Sequence, residues 1–173
     1  MTGCLKIALL RGVNVGGVTV KSAQLADLFR GLGYTDVKTV LASGNVLFDG
    51  PGSHSEQAAS IEKALSDEFG YAARVIVTDQ ASIRAIVEAY PFAEVDDRQP
   101  YVVFAEKPSD VPALLALAKG LDDSLERVQE GDGVLYWEVR KGMSTDSTFS
   151  KRTAKTPGIL ITTRNLRTLR KLL

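Results

Sequence analysis

A chain of 173 residues with 45% hydrophobic and 24% charged residues can bury a core as one domain or as two small fused ones. Its apolar residues come in short bursts, so no stretch reaches the roughly 20 residues of a membrane span, residues 1–6 lack the order of a signal peptide, and a cytoplasmic address is expected. With Cys4 as the single cysteine and His54 as the single histidine, an internal disulfide and a Cys/His zinc cluster are excluded and few nucleophile–base pairs remain, so no metal or cofactor is expected.

Residues 5–10 form a short apolar run of strand length. After the loop Arg11-Gly12-Val13-Asn14-Val15-Gly16-Gly17, Ser22 caps a helix whose Leu25, Leu28, Phe29 and Leu32 recur at helical spacing, and Gly31 and Gly33 stop it. Residues 37–41 and 46–48 read as strands joined by the tight turn Ala42-Ser43-Gly44-Asn45. A helix from Ser55 carries Ile61, Leu65 and Phe69 and ends at Gly70, and residues 73–78 are a further strand. The order β-α-β-β-α-β is the ferredoxin-like unit. Asp79 caps another helix that ends before Pro91.

A second series starts at Tyr101: a strand to residue 106, a helix entered through Asp110-Val111-Pro112, and strands at 125–129 and 134–139 that turn at Gly131-Asp132-Gly133. A weakly apolar helix follows Ser144. The strand 159–162 and a helix over 164–173 close the chain. An ungapped 88-residue offset lays residues 36–48 over 124–136, placing Val46 on Val134 and Phe48 on Tyr136. The expected fold class is therefore α+β, with two ferredoxin-like halves, 1–90 and 91–173 with the terminal helix. The connection over 11–21 has a much shorter counterpart at 107–110, and extra loop on a repeated scaffold is where function concentrates.

Glycines let backbone N–H groups turn toward a ligand, and a helix N-terminus adds positive dipole, so the loop can cradle an anion. It matches neither the dinucleotide nor the P-loop pattern, and the competing reading is a loop whose glycines only permit tight turns. Strands one and two run parallel in this topology, so the end of strand one, the start of helix one and the first hairpin share a rim. The candidate ligand-binding set is Arg11, Gly12, Asn14, Gly16, Gly17 and Lys21 with Ser43, Gly44 and Asn45, whose donors suit a phosphate or carboxylate. No catalytic residue is assigned. His54 reads as a solvated loop residue, and an RNA-recognition sheet fails because only Phe48 supplies an aromatic on the two central strands.

Formal charge is balanced, with 21 basic and 21 acidic residues, yet residues 139–173 hold nine Lys and Arg against one acid, Asp146. On the expected terminal helix Arg164, Arg167 and Lys171 share a face opposite Leu166, Leu169 and Leu173. That face would either meet a polyanion or neutralise acidic parts of the same chain or of a dimer.

The segment Ala8-Leu9-Leu10-Arg11-Gly12-Val13-Asn14-Val15-Gly16-Gly17, then Ser43-Gly44-Asn45-Val46 before Phe48, then Thr163-Arg164-Asn165 and Thr168, resembles the bacterial family named domain of unknown function 1697. The resemblance implies an α+β protein of two ferredoxin-like halves and supplies no reaction. Two departures stand out: Val18-Thr19 where members often carry a lysine after the double glycine, and Leu166 where they often carry a tryptophan. The function expected first is binding of a phosphorylated or other anionic ligand, a small molecule, nucleotide or RNA backbone, at the glycine-rich rim. The alternatives are a protein-interaction module and an enzyme acting on a phosphorylated small molecule, whose base would be a carboxylate, a lysine or Tyr34.

Overall fold

In the computed structural model, which describes residues 4–12, 17, 19–41 and 44–173, the chain divides into two units: Met1–Arg84 with Lys171–Leu173, and Ala85–Arg170. The first unit contains β1 (Lys6–Arg11), α1 (Ser22–Gly31), β2 (Thr35–Val40), β3 (Asn45–Asp49), α2 (His54–Phe69) and β4 (Arg74–Asp79), followed by α3 (Gln80–Glu88), within which the boundary falls. Its sheet has the order β2-β3-β1-β4 with every neighbour antiparallel. The second unit contains β5 (Arg98–Ala105), a 3-10 turn, α4 (Val111–Ala116), β6 (Glu126–Glu130), β7 (Val134–Arg140), α5 (Thr148–Ala154), β8 (Ile161–Asn165) and α6 (Leu166–Arg170), and its sheet order is β6-β7-β5-β8. Each sheet is the ferredoxin-like arrangement, so the fold expected from the sequence is present twice.

Side chains satisfy first-turn N–H groups at α2 and α3, whereas α1 follows Lys21 rather than the expected cap Ser22 and has no side-chain cap hydrogen bond. At α2 the Ser53 hydroxyl accepts from the Glu56 N–H at 3.1 Å while the Glu56 carboxylate accepts from the Ser53 N–H at 2.9 Å, and Gly70 ends the helix in the left-handed region. Asp79 opens α3 by accepting from the Ser82 N–H at 2.8 Å.

In the first unit Ala8, Leu10, Val46, Phe48, Val75 and Val77 form one sheet face that packs on Leu25 and Phe29 of α1 and on Ile61 and Leu65 of α2. The Phe48 ring lies 5.3 Å from Phe29 and 4.7 Å from Tyr34, between centroids. Phe48 therefore belongs to the core. Tyr34, packed there too, has its hydroxyl pKa raised by burial, which is the wrong direction for a base.

In the second unit Val103, Ala105, Leu135, Trp137 and Val139 pack with Leu114 of α4 and Phe149 of α5. Glu126, only 2% exposed, accepts from Trp137 Nε1 at 3.1 Å and from the Phe149 N–H at 3.4 Å, which ties β6, β7 and α5 together. Glu138, 1% exposed, receives Arg98 and Arg127 on one oxygen at 2.8–3.1 Å.

Two expectations change in detail. The helix-facing residues are Val46 and Phe48 in β3 but Leu135, Trp137 and Val139 in β7, so the ungapped offset is one residue out at this strand. Val46, Leu47 and Phe48, and likewise Val134 to Trp137, are all buried, and a strand buried on both faces offers no alternation from which to read parity. The second change is at the C-terminus, where the last strand runs through Asn165 and α6 spans only Leu166–Arg170. Pairing with β5, Val102 opposite Arg164 and Tyr101 opposite Asn165, extends the strand, and the Asn165 side chain then caps the helix by accepting from the Arg167 N–H at 2.9 Å.

Candidate functional site

The rim at the end of β1 is assembled by backbone pairing. The Leu10 N–H donates to the Gly44 carbonyl at 2.9 Å, which joins the β2–β3 hairpin to the end of β1. Gly44 has φ +81, a left-handed conformation that favours glycine. Asn45 is fully buried, and its Nδ2 donates to the Val40 carbonyl at 3.1 Å across the neck of the hairpin. Both residues therefore shape the rim, and the Asn45 amide is a hairpin brace.

β1 and β4 run antiparallel with Arg11 directly opposite Arg74. Leu10 and Val75, the next residues inward, face the helices, so the pleat turns both arginines to the other sheet face. Both are exposed. Two guanidinium groups in directly opposed cross-strand positions repel one another.

The other expected site residues fall around this pair in different ways. Gly12, exposed with φ +81, follows Arg11, and a Cβ there would lie 3.8 Å from the Tyr71 ring. Gly17 also has a positive φ and is exposed. Lys21 stands at the head of α1, a helix packed on the face opposite to the arginines, where its N–H donates to Gln24 Oε1 at 3.1 Å. The first turn of α1 carries no acid. Asn14, Gly16 and Ser43 lie outside the described residues.

Three rim residues were missed by the sequence reading. Arg74 opens β4, and the antiparallel β1–β4 pairing of a ferredoxin-like sheet carries the signal, because it sets the start of β4 against the end of β1. Tyr71, in the α2–β4 connection, has a buried hydroxyl without a hydrogen-bond partner among the described residues, and burial raises its pKa. Leu41 occupies the hairpin with φ +59. Neither Tyr71 nor Leu41 has a sequence signature.

The expected basic C-terminal face loses Arg164. Arg164 lies in β8, not on the terminal helix, and is 9% exposed, with Nη1 donating to Thr162 Oγ1 at 2.8 Å and to the Thr163 carbonyl at 3.1 Å. Burial lowers its pKa to about 10, which leaves it charged at neutral pH. Arg170 forms a two-pronged bridge to Glu94 at 2.6 and 2.9 Å, and Arg152 donates to the Leu117 and Lys119 carbonyls, both at 2.8 Å. Arg167 and Lys171 remain exposed, with Leu166, Leu169 and Leu172 buried and Leu173 in the solvent. Arg152, Arg164 and Arg170, three of the nine basic residues of the stretch, thus serve the fold itself.

At the opposite rim of the first sheet His54 opens α2, its Nε2 3.8 Å from Asp79 Oδ2. This separation is beyond hydrogen-bond distance. Among the described residues no three His, Cys, Asp or Glu side chains gather as metal ligands would, and no helix is long and apolar enough to cross a membrane.

Comparison with known proteins agrees with this architecture. A family model described as Protein of unknown function (DUF1697) matches residues 5–136. The matched span includes the glycine-rich loop and the first hairpin, whereas Thr163-Arg164-Asn165 lies beyond it. No curated protein matches the chain. Among solved structures the chain is similar to a conserved bacterial protein from Streptococcus pneumoniae, with 23% identity and a TM-score of 0.77 over 98% of this chain and 96% of that one. At this identity the likeness is one of fold.

Proposed function

We propose, for a chain that belongs to the DUF1697 family of proteins of unknown function, that the rim of the first unit binds the phosphate or a similar oxyanion of a small molecule through Arg11 and Arg74. The observation that carries this reading is their register: two exposed guanidinium groups directly opposed on adjacent strands and turned to one face. An oxyanion between them converts a repulsion into charge-assisted hydrogen bonds. Each guanidinium has five donors, so a contact to the protein leaves others for the ligand. Gly44 and Asn45 support the reading by fixing the hairpin to the end of β1. A small ligand is favoured over a polyanion because Arg152, Arg164 and Arg170 are engaged within the second unit. The reading supposes a cytoplasmic protein, among phosphorylated metabolites.

Thermal melts against inorganic phosphate, a nucleoside monophosphate and a sugar phosphate test it. A ligand at about 100 times its Kd adds roughly 2.7 kcal/mol, and at about 2–4 °C per kcal/mol the melting temperature rises by roughly 5–11 °C. The double variant Arg11→Gln/Arg74→Gln should lose that rise. An equal rise in the variant, or no rise with any of the three ligands, would refute the proposal.

A further inference from the structure

The sheet of the first unit ends on β2 at one side and on β4 at the other. An edge strand turns a row of backbone N–H and C=O groups away from its only neighbour, and such a row is a template for another strand. β2 is blunted: its pairing with β3 shifts register between Thr35 and Lys38, and Asp36 has φ +51. β4 carries no such break. It pairs with β1 through six consecutive residues, Arg74 to Asp79, contains no proline, and its Val75-Ile76-Val77-Thr78 is β-branched throughout.

Hydrogen bonding fixes which groups β4 turns outward. The Gln80 N–H donates to the Leu5 carbonyl at 3.1 Å. The alternation of an antiparallel ladder then aims the N–H groups of Arg74, Ile76 and Thr78 at β1 and those of Val75, Val77 and Asp79 away from the sheet. Two side chains of α2, four residues apart on one flank, reach this edge. Glu62 Oε1 accepts from the Val75 N–H at 3.0 Å, and Ser66 Oγ accepts from the Ala73 N–H at 3.2 Å. A strand added here needs the Val75 N–H for its own carbonyl. It would have to displace a charge-assisted hydrogen bond and then lie beside the carboxylate it had displaced.

The edge is also complementary to itself. Antiparallel pairing centred on Ile76 sets Val75 of each copy opposite Val77 of the other, both with outward backbone groups, and Arg74 opposite Thr78, so no like charges face one another. We propose that β4 is a strand-pairing edge kept shut by Glu62, and that a second copy of this chain adds there once the carboxylate leaves the Val75 N–H. The proposal goes beyond the anion-binding reading and does not depend on it, because the groups that pair are the backbone N–H and C=O of β4.

Sedimentation velocity over a concentration series tests it on the wild type, Glu62→Ala, Glu62→Gln and Glu62→Ala/Thr78→Lys. The wild type should stay monomeric, and so should Glu62→Gln, whose amide oxygen still accepts from the Val75 N–H. Glu62→Ala should double its mass as concentration rises, and its Val77 amide should gain protection from hydrogen exchange. Adding Thr78→Lys, which sets a lysine opposite Arg74 at both ends of the pairing, should return it to a monomer. A Glu62→Ala variant that stays monomeric, a wild type or Glu62→Gln that dimerises to the same extent, or a Glu62→Ala dimer that survives Thr78→Lys would overturn the proposal. Should Glu62→Ala fail to fold, hydrogen exchange in the wild type decides. The outward Val77 amide should exchange faster than the Ile76 amide bound to β1, and equal protection of the two would mean that the edge is already covered.

Discussion

Arg11, Gly44 and Asn45 were all candidates from the sequence, but for different reasons, and the structure separates them. Gly44 and Asn45 are turn-formers, and the fold uses them in that capacity: a left-handed glycine whose carbonyl receives Leu10, and a buried amide that closes the hairpin neck. Gly44→Ala should therefore act on stability. Placing a Cβ in the left-handed region costs about 1–2 kcal/mol, which urea denaturation should register as a lower midpoint with an unchanged slope. A midpoint equal to that of the wild type would mean that the hairpin relaxes freely and is a poor platform for a site. Arg11 keeps its candidate role because it is exposed at the strand end. Its partner Arg74 was invisible to motif reading, since nothing in Arg74-Val75-Ile76 distinguishes it from any strand start; only the pairing of β4 with β1 gives it meaning.

Among the elements, those with strong boundary chemistry were readable and those without were displaced. α3 began where Asp79 said it would, and this cap yields a pH prediction. The Asp79 carboxyl is held below its ordinary value, first by the hydrogen bond from the Ser82 N–H, with His54 and Lys6 contributing less. A carboxylate with a lowered folded pKa contributes stability that is fully present above its unfolded value near 3.8 and is lost as pH falls through the folded one. Asp79→Ala should cost about 1 kcal/mol at pH 7, and denaturation curves at successive pH values should show the gap between variant and wild type closing below about pH 3.8. A gap that is constant with pH would assign the loss to packing. The terminal helix was misplaced because its cap, Asn165, was read as helix interior. Asn before Leu166 and Leu169 is an N-cap signal, and recognising it would have left Arg164 in the strand, where its burial contradicts any role on an exposed basic face.

At the scale of the whole molecule the repeat was legible because connectivity leaves a coarse imprint on sequence: hairpin turns at Gly44 and Gly131–Gly133, and helices between strands. The residue-level superposition slipped by one at β7, since Val134-Leu135-Tyr136-Trp137 is apolar throughout and its parity is decided only by what packs on each face. Net charge misled in a related way. A basic C-terminal stretch counted along the sequence suggests a surface for polyanions, but Arg152 and Arg170 are engaged with carbonyls and with Glu94, and Arg164 is interior. What remains is a cationic rim in the first unit, set by register between two strands that are distant in sequence.

That rim is the central claim, and diffraction from crystals soaked in tungstate, a heavy oxyanion with phosphate geometry, tests it most directly. The account predicts an anomalous peak within hydrogen-bond reach of both the Arg11 and Arg74 guanidinium groups, absent from crystals of the Arg11→Gln/Arg74→Gln variant. Tungstate bound elsewhere on the chain with this rim empty, or a peak between the two side chains that persists in the variant, would contradict it.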